Sequence, residues 1–133
     1  MELRDFAQRV LFSVTLEEKL APPTSLLTDE DPGRAFATPD HPGRPDELIF
    51  RAGERAPLPR TFQLADEEER GRLLHFFANH ELLAAELMAL VLLKFPEAPS
   101  AFRMGVAKTL QEEQMHTRLY QKRLLECGVT FGS

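Results

Sequence analysis

Cysteine is nearly absent. Cys127 stands alone, so no disulfide can close within the chain, and a reducing, cytoplasmic setting fits. A secretory leader pattern is also missing: the opening Met-Glu-Leu-Arg-Asp has no basic segment followed by an apolar one. A bilayer takes about 20 apolar residues, and the longest strongly apolar run, residues 82–93, is shorter and interrupted by Glu86. No membrane partner is expected. Nor is there an excess of positive charge. The net charge of -5 argues against a nucleic-acid backbone or an anionic membrane as the default partner. No internal repeat or low-complexity tract is visible. Strand signals are weak, with Leu48-Ile49-Phe50 the one candidate.

What is present suits one soluble all-α domain. The chain has 133 residues, 43% of them hydrophobic and 28% charged. Residues 2–21 read as an N-terminal helix. Leu3, Phe6, Val10 (or Ala7) and Val14 follow a three-to-four spacing, Leu11, Phe12 and Leu16 widen the stripe, and Pro22-Pro23 stops it. Residues 22–64 change character: eight of the ten prolines lie there, with Gly33, Gly43 and Gly53, and no helical period survives. Apolar anchors at Leu26, Leu27, Phe36, Leu48, Ile49, Phe50, Leu58 and Phe62 predict an arm that wraps the helices, since a disordered linker would carry fewer of them.

Residues 65–128 predict an antiparallel helical hairpin. Asp66-Glu67-Glu68-Glu69 sets a cap and acids where the helix dipole favours them. The first hairpin helix ends at Phe95-Pro96. From Leu73 to Leu93 it is apolar on nearly every side, interrupted only by His75, Asn79, His80, Glu81 and Glu86. Such a helix expects burial all round, more than one partner helix can supply. Pro99 suits the start of the second, and Cys127-Gly128 a glycine-capped end. Phe102, Val106, Leu110 (or Thr109), Glu113, His116 (or Thr117), Tyr120 and Leu124 share one face of it.

Two stretches set charge inside this apolar pattern: His80-Glu81 and Glu112-Glu113-Gln114-Met115-His116. A buried charge is costly unless paired or bound to a metal. Glu81 and Glu113 each lie sixteen residues from Glu97 at the hairpin tip. At about 1.5 Å per residue they sit at one level, roughly 24 Å down. His116 is one turn from Glu113 on the same face. One carboxylate thus faces a Glu-x-x-His pair. Ferritin-like dinuclear sites use one Glu from each of two helices and a Glu-x-x-His from each of two others, so this chain supplies half a site. Carboxylate and imidazole without thiolate favour iron or manganese over structural zinc. A zinc-protease motif fails, because Ala84 stands where a second histidine would be needed.

Each residue also has a plainer role. Glu81 could pair with His116 or an arginine and bind no metal, and Glu113 and His116 stand or fall with it. His80 suits a hydrogen-bonded core or metal-supporting group, and His75 a structural one. Glu86 and Glu112 suit solvated or salt-bridged acids, with Glu86 better placed as a spare ligand. Tyr120, one turn beyond His116, suits the core or a hydrogen bond behind the metal site. Cys127 reads as a small apolar residue, and His41 carries no signal.

Nearly all of residues 10–132 resembles the ferritin-like family catalogued as domain of unknown function 455. The matching text is Pro42-Gly43-Arg44-Pro45, Arg72-Leu73-Leu74-His75 with Phe77-Ala78 and Glu81-Leu82, then Phe95-Pro96 with Pro99 and Phe102. It continues in Glu112-Glu113 with His116, and in residues 124–128 with Phe131-Gly132. The resemblance puts Glu81, Glu113 and His116 on metal-ligand positions and implies a distant relation to non-haem diiron oxygenases, among them a tRNA-modifying hydroxylase. Family members are longer, and their second halves supply two more helices with the remaining ligands. The resemblance therefore implies a short version, a piece of a split protein or a truncated one. A two-fold homodimer would complete a four-helix bundle around two iron (or manganese) ions. The expected function is a dinuclear oxidoreductase acting with dioxygen or peroxide or on the metal itself. The alternative is a non-catalytic assembly or binding module.

Overall fold

The computed structural model describes residues 1–49 and 58–132. Among them the chain is all-helical, with a lone parallel bridge between Glu2 and Thr28 and no strand. The helices are α1 (Leu3–Phe12), α2 (Leu16–Leu20), α3 (Glu67–Lys94) and α4 (Ser100–Glu126). Short 3-10 turns occupy Asp46–Leu48 and Thr61–Ala65. Leu48 therefore closes a 3-10 turn rather than opening a strand. Phe50, Gly53 and Pro57 lie outside the described residues.

α3 and α4 run back along each other through a short link, and their caps follow from the local residues. The Asp66 carboxylate accepts from the Glu68 N–H at 2.9 Å, and three glutamates fill the first turn. α3 stops before Pro96. Pro99 stands just outside α4, which begins at Ser100. At the far end Gly128 adopts φ 80°, Gly128 N–H donates to Leu125 O at 3.0 Å, and Val129 N–H donates to Leu124 O at 3.0 Å. This pair of bonds is the Schellman arrangement, and glycine takes its left-handed position without strain.

The N-terminal stretch is two helices, not one. The helix breaks at Ser13-Val14, Val14 is exposed, and the Thr15 hydroxyl caps α2 by accepting from Glu18 N–H at 3.3 Å. α1 buries Leu3, Phe6, Ala7, Val10 and Leu11 against Ala85, Ala89, Leu92 and Leu93 of α3 and Ala107 and Leu110 of α4. The small side chains of α3 let its neighbours approach closely. A second core joins Leu20, Leu48, Ala78, Leu82, Leu124, Val129 and Phe131. α3 is long and apolar enough to cross a membrane by length and composition, yet it forms the spine of both cores.

The residues between α2 and α3 are held largely by backbone and charge. Thr28 exchanges backbone bonds with Met1 and Leu3, Phe36 N–H donates to Leu93 O, and Gly43 N–H donates to Leu11 O. Of the expected anchors, Leu27, Phe36 and Leu48 reach the cores, whereas Leu26, Ile49, Leu58 and Phe62 face solvent. Arg103 Nε donates to Asp29 at 2.8 Å, and its Nη1 takes the α3 carbonyls of Leu92 and Phe95.

Candidate metal centre

Glu81 on α3 meets Glu113 and His116 on α4. His116 Nδ1 lies 3.7 Å from Glu81 Oε2 and 3.7 Å from Glu113 Oε2. One ligand atom from each residue falls within 4.8 Å of the others. These separations are too long for hydrogen bonds. They suit shared coordination: donors bound at about 2.0–2.2 Å to one cation stand about 3–4 Å apart. Glu113 Oε2 is buried and has no hydrogen-bond partner. A buried carboxylate oxygen in that state is costly, and a cation would relieve the cost. The donor set of two carboxylates and one imidazole fits iron or manganese.

The rotation of α4 is fixed from its other side. Gln114 Nε2 donates to Lys19 O at 2.8 Å and Ala21 O at 3.1 Å. Arg118 Nη1 donates to Leu20 O. Buried Thr117 bonds back to the Glu113 carbonyl at 2.8 Å. These polar residues are buried or tied to α2, so the inward face of α4 is Arg103, Ala107, Leu110, Gln114, Thr117 and Leu124. Leu110, Leu124 and the alternative Thr117 are buried as the stripe predicts, while Arg103, Ala107 and Gln114 replace Phe102, Val106 and Glu113, which each stand one residue earlier. Phe102 is exposed, and Glu113, His116 and Tyr120 lie at the margin of the buried face. The cluster is consequently half-open: the Glu81, Glu113 and His116 side chains are 27%, 19% and 43% exposed. Phe77 on α3 and Tyr120 on α4, each one turn from the cluster, meet at a tilt of 43° with ring centroids 5.9 Å apart.

The other candidates lie elsewhere. Glu86 is not a spare ligand. It is buried and accepts from both Arg44 and Lys19, with Lys19 Nζ at 3.0 Å. Lys19 also donates to Val10 O and Gly43 O at 2.6 Å, and Arg44 to Asn79 and Leu48. Burial pulls Lys19 below the ordinary lysine value, opposed by the Glu86 charge. His80 is exposed and stacks on Phe76 at 4.3 Å, outside the cluster. Glu112 is exposed, and Cys127 is buried and free. His41 is exposed and reaches only the carbonyl of Pro42. His75 accepts from Gly132 N–H at 2.8 Å. The buried Lys19–Glu86–Arg44 group escapes a pattern reading of the chain, though an acid inside an apolar run is itself a demand for cations.

On the outward faces of α3 and α4, Phe76, Phe77, Leu83, Leu87, Met115 and Leu119 are exposed. No curated protein and no solved structure matches the chain. A family model described as "Protein of unknown function (DUF455)" matches residues 6–133, almost the whole length. The chain belongs to that family.

Proposed function

We propose that Glu81, Glu113 and His116 are half of a ferritin-like dinuclear metal centre, with iron the favoured metal and manganese the alternative. The observation that carries this reading is the buried, unbonded Glu113 Oε2 held 3.7 Å from His116 Nδ1. In this reading Glu81 and Glu113 would hold the metal through carboxylate oxygens and His116 through an imidazole nitrogen. Iron so held would supply reaction with dioxygen or peroxide, or would itself be oxidised by them, which would make the protein an oxidoreductase. The residues' own task is positioning and exclusion. Ala78 and Leu82 bury the neighbouring turns of α3, Phe77 packs on Tyr120 across the two helices, and the bonds of Gln114 and Arg118 to the end of α2 keep α4 from rotating.

A second copy of the chain completes the centre. Two things support it: the half-open ligand set and the large apolar side chains left exposed on the same two helices. A two-fold axis would bring a second Glu and a second Glu-x-x-His to the same level. Elemental analysis and light-scattering mass, on one sample purified without chelator, test this. The expected result is a dimer with about two metal ions, following two-metal logic. A metal-free monomer overturns it.

A further inference from the structure

We propose that His75 is a pH-sensitive latch that fastens residues 129–132 to α3. The Gly132 N–H donates to His75 Nε2 at 2.8 Å. A backbone N–H can only donate, so Nε2 must present a lone pair, and the ring must be neutral with its proton on Nδ1. A proton on Nε2 would set two donors against each other. The bond is the single hydrogen bond from residues 129–132 to α3 among the described residues.

The surrounding packing depends on the same ring. Phe131 meets it edge-on, with centroids 5.2 Å apart at 79°. Val129 and Phe131 are buried members of the second core. Gly71, one turn before His75, lets Val129 and Cys127 lie close: a Cβ there would stand 2.6 Å from Val129 Cγ2 and 2.9 Å from Cys127 Cβ. Protonation of one ring therefore threatens a set of apolar contacts.

Among the described residues, the ionisable groups on the adjoining elements are few. Glu47, from the first 3-10 turn, packs on Gly132. The Cys127 thiol and the Tyr120 phenol come from α4, and Arg72 on α3 is taken by Glu68 and Glu69. None displaces the titration of His75; burial does, pushing it below the ordinary histidine value. The sign follows. The neutral ring is the folded form, so the latch is whole above the unfolded value of about 6.5 and weakens as pH falls through the lower folded value.

Hydrogen-exchange protection of the Gly132 amide, measured by NMR at pH 7.5 and 5.0 and corrected for intrinsic exchange, tests this. The expected result is a clear loss of protection at the lower pH. In His75→Gln, which keeps an acceptor oxygen but cannot titrate, protection should not change with pH. Equal protection at both pH values in the wild type, or an equal loss in His75→Gln, overturns the proposal. Ring nitrogen shifts of the wild type decide it without a variant: a proton on Nε2 at pH 7.5 overturns the latch.

Discussion

Glu86 on α3 and Lys19 on α2 meet at 3.0 Å with both side chains sealed from water. Arg44 joins the same carboxylate, so one acid serves two buried cations from two separate parts of the chain. The group ties α2 and the segment after it to the spine of the fold.

Glu86→Ala removes the carboxylate that Lys19 and Arg44 share and should cost about 3–5 kcal/mol, the usual penalty for breaking a buried pair. Chemical denaturation measures it. Metal content per folded molecule should not change, since Glu86 lies outside the ligand cluster.

Arg103→Ala should be comparably damaging. It strands the Asp29 carboxylate and uncaps the carbonyls of Leu92 and Phe95 at the end of α3. Arg103→Lys should recover little, because a point charge cannot match a planar fork that serves three partners. Melting curves of the two variants check both statements.

Glu113→Gln separates stability from binding. In chelator, removing an unbonded buried charge should leave stability equal or raise it by up to about 1 kcal/mol. With ferrous or manganous salt, the wild type should gain melting temperature and the variant should not, because ligands that bind only the folded state stabilise it.

His80 and His116 should differ sharply although both lie near Glu81. His80→Ala removes only an exposed stack on Phe76 and should retain metal. His116→Ala should lose it. Elemental analysis of the two purified variants makes the comparison.

Thermal stability should fall as pH drops below about 6.5, the unfolded histidine value, since the neutral His75 is the form that bonds Gly132. In His75→Gln that part of the pH dependence should be absent.

The long helices and the meeting of Glu81, Glu113 and His116 are legible in the sequence because each rests on local signals. Asp66 with its acids, Pro96 and Gly128 mark ends, and equal spacing from Glu97 aligns Glu81 with Glu113. The face of α4 reads correctly at Leu110, Leu124 and the alternative Thr117 and one residue early at Phe102, Val106 and Glu113, because Arg103 and Gln114 are buried by polar bonds to distant carbonyls, which hydropathy cannot register. The break at Ser13-Val14 hides for a related reason: α1 turns away to bring Lys19 under Glu86, a contact between residues far apart in the chain. The arm's anchors mislead because exposed Leu26 and Phe62 look like the core residues Leu27 and Phe36.

Anomalous diffraction at the iron edge, from crystals grown with ferrous salt, bears most directly on the metal centre. Two peaks should appear at the Glu81 level between paired copies, each within about 2.0–2.2 Å of a Glu113 oxygen and a His116 nitrogen. Peaks confined to other sites, or none within bonding reach of Glu113, would contradict the account.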